Sequence, residues 1–460
     1  MFPENEVNDN FYDKLGDDDA PLSINALDRG DNGSSPKMDR LQSIYSLDSS
    51  VKVASPERGF MTFLNGLIGG GMLALPHAVS KIGVLPALVL FLVIGYLNLH
   101  TMRLLHIVAS DLRLVKVDFG RLAERVIYRR WVRYFVEVNL YIMQFGTAIT
   151  GLVFINQYFD KIFCILGAQT LCEHEYLRFL LILAFVLPIG AITNIKYLAI
   201  PNGLGIFFQF AFLALFLTVT SNSIAENGFA YENFKEALTV FNPESLPLAF
   251  ATILYAYEGI GLVMDVRTAV SDHGSFNKVL FWTFVISTTG YTSVGIMGAL
   301  AFGEGAKAVI FLNLDQTNNL IVFVEFGYLI ALSIMIPTIL FPVSRIIENW
   351  KIFRRITEDR GSKKKSFLGR QLIRQPIVLG LCLIAAIIPS FDLFLSFLGG
   401  FNFAILSFVI PVVLYNTRFK DDSSKRKIRI FNWMIMVPGI VLGLVASAES
   451  LVKMVNYKGE

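Results

Sequence analysis

Charge is scarce in this chain, and cysteine and histidine are scarcer. Only 17% of the 460 residues are Asp, Glu, Lys or Arg, against roughly 25% in soluble domains. A water-facing surface is excluded for most of the sequence, and 54% hydrophobic residues with a mean hydropathy of +0.56 imply an all-α polytopic membrane protein. Three cysteines cannot build a disulfide framework: Cys164 and Cys172 either close one small bridge within a single loop or stand as free thiols, and Cys382 is a small residue in an apolar run. The histidines, His77, His100, His106, His174 and His273, show no metal-ligand spacing. Neither a nucleophile elbow nor a phosphate loop occurs, so no enzyme, cofactor or metal site is expected. A net charge of +3 gives no footing for nucleic acid.

Apolar stretches of about 20 residues fall at 60–78, 84–107, 134–158, 178–194, 198–220, 247–265, 279–301, 319–343, 376–390, 393–415 and 431–452. Eleven spans are expected, and the basic residues order them. The connections after the second, eighth and tenth spans carry dense Lys and Arg: Arg103 to Arg133, Arg345 to Arg374, and Arg418 to Arg429. The loops at 159–177, 221–246 and 302–318 are poor in both, and acids such as Glu173 and Glu244 occupy the first two. The positive-inside rule then puts the amino terminus in the cytosol and the short tail 453–460 on the other side. Residues 1–55, with Asp17-Asp18-Asp19, read as a disordered acidic cytosolic tail ahead of a membrane domain over 56–452. No cleavable signal segment is read. The one Asn-x-Ser/Thr acceptor, Asn32-Gly33-Ser34, lies in that tail, so the vacuolar or lysosomal and plasma membranes fit equally.

Two spans are interrupted. NGLIGGGMLALP at 65–76 places three glycines at membrane depth, and YAYEGIGLVMD at 255–265 places two glycines and two carboxyls there. Glycine weakens a helix interior by roughly 0.5–1 kcal/mol relative to alanine, and backbone groups released into hydrocarbon need partners. Small residues four apart, such as Gly66 and Gly70, also permit close helix packing. The interrupted spans open two successive five-helix units, 58–220 and 247–415, with 431–452 left over. An odd helix count inverts one unit against the other, and paired broken spans in inverted repeats point to a transport site near the midplane. Freed N–H groups suit a carboxylate and freed carbonyls suit an ammonium; an amino acid carries both.

Glu258 lies beside the second interruption, either as a proton-coupling group or as an acceptor for freed amides. Asp265 reads as a boundary residue near Arg267, and Glu325 as interfacial. Ser333 and Thr338 flank Pro337; they either repair the proline-broken ladder or, in the case of Ser333 with Asn65, supply oxygens to sodium.

These stretches resemble the amino acid/auxin permease family of transmembrane amino acid transporters: GFMTFLNGLIGGGMLALPHAVSKIG at 59–83, AYEGIG at 256–261 and the proline-bearing eighth span occur in family order over roughly 55–452. The resemblance implies a LeuT-like 5+5 inverted repeat with discontinuous helices 1 and 6 plus one extra helix, and cation-driven amino acid symport or antiport. YEGIG is similar to the proton-coupled and fungal vacuolar members, whereas Asn65 and IPTILFP at 336–342 are similar to sodium-coupled ones. Met335 stands at a hydroxyl-bearing position of the latter, which favours protons over sodium. The resemblance places the substrate at Ile68, Gly69, Gly70, Gly71 and Met72 with Tyr255, Ala256 and Gly259; Tyr257 joins Tyr255 in shaping the side-chain pocket, and Glu258, Asn65 and Ser333 serve cation coupling. The expected partners are a neutral amino acid and the bilayer, with no protein partner legible. A different class, an amino-acid sensor signalling through the acidic tail, fits the same residues.

Overall fold

The computed structural model describes residues 56–114, 117–192, 199–231, 238, 240–270, 273–348 and 363–457. The expected disordered tail over 1–55 lies outside the described residues. Those described are helical throughout, with no strand among them. Hydrocarbon dictates this, because a helix pairs its backbone groups within its own segment.

In chain order the helices are α1 (Pro56–Leu67), α2 (Leu75–Ile82), α3 (Val84–Asp111), α4 (Phe119–Ile127), α5 (Arg130–Ile165), α6 (Gln169–Glu173), α7 (Glu175–Gly190), α8 (Ala199–Asn227), α9 (Leu246–Ala256), α10 (Ile260–Ala269), α11 (His273–Phe302), α12 (Asn319–Glu348), α13 (Lys363–Ile387), α14 (Phe391–Leu398), α15 (Ile410–Arg418) and α16 (Arg426–Val455). Among the described residues, nine helical stretches are long and apolar enough to cross a membrane. Two expected spans are not among the nine, for visible reasons. The first is divided into α1 and α2, of 12 and 8 residues, and the fourth, α7, has only 16.

The ninth helix starts at Lys363 rather than at 376. Lys, Arg and Gln are good helix formers, so the helix runs on beyond the apolar stretch that hydropathy detects. The tenth span is not a plain α-helix either: two π-helical turns, Gly399–Phe403 and Ile405–Val409, join α14 to α15. There Gly399 lies on the Ala251 carbonyl of α9 and Gly400 on the Gly443 carbonyl of α16, approaches that a Cβ would block. Small residues allow such contacts between membrane helices.

Large apolar side chains on the outside, among them Leu92, Trp131, Phe207, Phe323 and Met434, are more than half exposed, as an acyl-chain environment requires. The interrupted segments instead sit inside the bundle: α2 packs on α9 and α11, and α1 on α10 and α11. Gly83 ends α2 at φ 103° and turns the chain into α3, with the Val240 carbonyl pressed against it. A side chain there would meet both strain and a clash.

Candidate functional site

The first interruption leaves the helix at Leu67. The Ile68 amide still donates to the Leu64 carbonyl at 3.0 Å, but Gly69 is extended (φ −144°, ψ −161°) and Gly70–Ala74 form a tighter 3-10 turn before α2 begins. The freed carbonyls are claimed by tyrosines from other helices. Tyr291 of α11 donates to the Leu67 carbonyl at 2.7 Å, and Tyr328 of α12 to the Gly69 carbonyl at 3.1 Å. The Gly69 carbonyl also accepts from the Met72 amide at 3.3 Å. Among the described residues, the amides of Gly69, Gly70 and Gly71 donate to no backbone carbonyl. The Leu67 and Gly69 carbonyls thus have partners from other helices, whereas the Gly70 and Gly71 amides find no backbone acceptor among the described residues. Ile68 and Met72, 7% and 2% exposed, wall it with apolar surface.

The second interruption spans Tyr257 to Gly259, between α9 and α10. The Tyr257 and Glu258 amides reach back to the Ile253 and Tyr255 carbonyls at 3.2 and 3.1 Å. The Glu258 carboxylate folds onto the start of α10, where Oε1 accepts from the Ile260 amide at 3.2 Å. Its other oxygen, Oε2, accepts from the Ser407 hydroxyl in the second π-turn at 3.1 Å. This is an N-terminal cap made by an acid, tied at the same time to the tenth span. Among the described residues, the Ala256 carbonyl accepts no hydrogen bond.

The two interruptions touch. A Cβ built on Gly71 would lie 2.9 Å from Ala256 Cα and 2.9 Å from Tyr255 Cδ1, whereas one on Gly70 would meet only Leu332, at 3.8 Å. Of these two neighbours Gly71 is thus the one where only glycine fits, and it sets the first interruption against Tyr255 and Ala256 at the second.

Of the residues read as substrate-binding, Ile68 to Met72, Tyr255 and Ala256 come together at this crossing, and Gly259 packs on Leu67 and Phe63 at the end of α1. Tyr255 stacks on Phe403 at 4.9 Å and lies beside Thr147 and Thr150 of α5. Tyr257 turns the other way. It is fully buried, donates to the Phe91 carbonyl of α3 at 3.2 Å, and meets Tyr291 edge-on at 5.2 Å. It therefore braces the break from outside the pocket, because successive residues at a helix end point in different directions.

Ser333 and Thr338 bond back to the Leu329 and Ile334 carbonyls within α12, at 2.9 and 3.1 Å. These are ordinary back-bonds to a carbonyl one turn earlier; the carbonyl that Pro337 leaves without its helical donor is that of Ser333, which these two bonds do not reach. The α12 side chains that face Gly69 and Gly70 are Met335 and Leu332. The side chain of Asn65 lies outside the described residues.

Glu325 corrects its reading as interfacial, being fully buried and accepting from the Tyr158 hydroxyl at 2.8 Å and Gln316 Nε2 at 3.2 Å. The loop after α11 folds over that end of α12 and supplies Gln316, which no count of apolar residues could register. Asp265 is exposed, but Arg267 is buried, donating to His106 Nδ1, the Leu114 carbonyl and Ser110 Oγ at 3.3, 2.7 and 3.4 Å. The carbonyl end of α3 favours a cation there. The two capping tyrosines, Tyr291 and Tyr328, escaped the sequence reading; their signal was a phenolic hydroxyl in an apolar span, which must find a partner when buried. Cys164 and Cys172 are joined in a disulfide at the end of α5.

The pattern of a family described as "Transmembrane amino acid transporter protein" matches residues 52–456. Vacuolar amino acid transporter 4 of Saccharomyces cerevisiae is 28% identical over 348 residues, which cover 74% of this chain and 47% of the yeast protein, so the chain spans about half the length of that relative. Amino acid transporter AVT3A of Arabidopsis thaliana is 25% identical over 88% of this chain and 91% of its own length, and amino acid transporter ANT1 of the same plant is 25% identical over 82% and 87%. The chain belongs to the transmembrane amino acid transporter family and is an integral membrane protein.

Proposed function

We propose that this member of the transmembrane amino acid transporter family carries a neutral amino acid across a vacuolar membrane by cation-coupled alternating access, with the proton as the coupling ion. One observation carries the reading: Gly71 packs directly on Ala256 and Tyr255, which brings the amides of the first interruption and the carbonyls of the second to one crossing. An α-carboxylate completes the first set and an α-ammonium the second. The flanking broken helices belong, on this proposal, to a LeuT-like pair of inverted five-helix units followed by an eleventh helix. Rocking of one bundle against the other exposes the crossing to each side in turn.

Glu258 is the proposed proton carrier. It touches the start of α10 through the Ile260 amide and the tenth span through Ser407, so a change in its charge acts on both. Protons are favoured over sodium because the residue of α12 beside Gly69 is a methionine, Met335, and a thioether is a poor ligand for a hard cation. The vacuolar assignment rests on the yeast relative's name. The dense basic loops support a cytosolic amino terminus and a luminal carboxyl terminus, and the Cys164–Cys172 bridge, on the opposite side, suits an oxidising compartment.

The test is counterflow in proteoliposomes with a panel of labelled amino acids, with and without sodium and a pH gradient. Saturable exchange that a pH gradient drives and sodium leaves unchanged supports the proposal. Substrate binding without flux overturns it in favour of a sensor.

A further inference from the structure

His77 of α2 is held between two other elements. Its Nδ1 lies 2.6 Å from the Ala306 carbonyl, in the loop after α11, and its Nε2 lies 3.6 Å from Asp392 Oδ2 in the first turn of α14. The Ser390 hydroxyl donates to the other oxygen of Asp392. The two side chains are 21% and 22% exposed.

The chemistry of these contacts fixes the proton count. A carbonyl can only accept, so Nδ1 carries a hydrogen. A neutral imidazole has a single N–H, which leaves the Nε2 lone pair facing a carboxylate oxygen. Two acceptors then oppose one another across 3.6 Å. A proton placed on Nε2 converts the same contact into a charge-assisted ion pair. The arrangement is favourable in only one protonation state.

The neighbouring charges do not compete for this role. α2 itself carries Lys81; the turns packed on it carry Glu244 and Glu304, and Lys307 follows. Among the described residues none of these is bonded to the imidazole, and the Lys307 ammonium is spent on the Leu312 carbonyl at 3.1 Å. The charged groups of α3 lie in its C-terminal half, from His100 to Asp111, and those of α11 are confined to its first turns, at Lys278. α9 contributes no charged side chain.

The side of the membrane is also fixed by contacts. Gln157 of α5 bonds the Pro389 carbonyl and the Phe391 amide, at 2.8 and 3.2 Å, beside Asp392. Two turns further along, α5 ends at the Cys164–Cys172 disulfide. The His77 cluster therefore lies on the disulfide side of the substrate crossing, the side that faces an oxidising compartment.

We propose that His77 and Asp392 form a proton-operated clasp, in which a proton from the disulfide-side compartment binds Nε2 of His77 and draws α14 against α2, which stays bonded to the loop at Ala306, closing that side of the site. Loss of the proton opens it. The proposal deepens the transport reading and rests on it, assigning the pair a proton site separate from Glu258. Because α2 begins where the interrupted segment ends, movement at His77 is passed directly to the glycines at 69–71.

The test reads the clasp without transport. Spin labels at Lys81→Cys and Ile387→Cys, both exposed positions, in a Cys382→Ala background, report the separation of α2 from the segment that leads into α14 in purified, substrate-free protein. The expected result is a short distance at about pH 5.5 and a growing long-distance population at about pH 8, the closed-to-open ratio falling about tenfold. Asp392→Asn and His77→Gln should both abolish the response, and His77→Arg should hold the short distance at both pH values. A distance indifferent to pH in the parent protein, or a response retained in His77→Gln and Asp392→Asn, overturns the clasp. If proteoliposomes show no flux while the distance switch persists, the transport reading fails and the clasp stands.

Discussion

The two interruptions solve the same problem in opposite ways. Each removes backbone groups from a helical ladder inside the membrane, where an unpaired group is costly. The first gives its Leu67 and Gly69 carbonyls to the hydroxyls of Tyr291 and Tyr328, and its Gly70 and Gly71 amides find no backbone acceptor among the described residues. The second covers an amide with its own acid, Glu258, and among the described residues its Ala256 carbonyl accepts no hydrogen bond. A helix break becomes a binding site only on the side its neighbours decline to satisfy. On the proposed reading the two are complementary, one offering amides to a carboxylate and the other a carbonyl to an ammonium.

Substitutions can test this difference, beginning with the largest effect. Gly71→Val should abolish uptake, by at least about 100-fold, because its Cβ alone would press on Ala256 and Tyr255 in a core with no slack. Gly71→Ala should act in the same direction, measured as initial uptake rate against surface expression. Unchanged uptake would mean that the two interruptions need not touch.

Glu258→Gln comes next. The amide keeps an acceptor for the Ile260 N–H, so the fold should persist while gradient-driven accumulation falls by about tenfold or more and its pH dependence flattens. Exchange of amino acid at equal pH should be less affected. A normal pH profile in this variant would reduce Glu258 to a cap. Replacing the acid by Ala removes that cap as well, for about 1 kcal/mol of additional destabilisation.

Tyr291→Phe strands the Leu67 carbonyl, at a cost of about 1–3 kcal/mol, and Tyr328→Phe should cost less, because the Gly69 carbonyl keeps the Met72 amide. Detergent melting curves should shift down by a few degrees, and affinity should change less than stability. The smallest effect belongs to Gly70→Ala, whose Cβ would sit 3.8 Å from Leu332 in ordinary contact. Stability should move by less than about 1 kcal/mol, and a loss as large as that at Gly71 would contradict the distinction drawn between the neighbours.

The interruptions themselves were legible because glycine clusters and an intramembrane acid contradict the apolar pattern around them. Which groups each interruption leaves open was not. That depends on Tyr291 and Tyr328, more than 200 residues away from the glycines in sequence, and side-chain reach across helices has no local signature. Tyr257 could not be separated from Tyr255 for a related reason: the helix ends between them, so periodicity no longer says which way each points. Glu325 was misread because burial by a folded-back loop is invisible to hydropathy. The π-turns at Gly399–Val409 likewise hide within an ordinary apolar run. Hydropathy alone also missed the early start of α13, since lysine-rich sequence forms helix outside the hydrocarbon as readily as within it.

The most direct measurement of the central claim is calorimetric binding to the purified protein of three ligands: a transported amino acid, the amine lacking its carboxylate, and the N-acetylated acid lacking its ammonium. If the Gly69 to Gly71 amides and the Ala256 carbonyl each hold one end of the zwitterion, both truncated ligands should bind at least about 100-fold more weakly, a loss of about 3 kcal/mol. An amine or an N-acetyl acid that binds as tightly as the parent amino acid would contradict it.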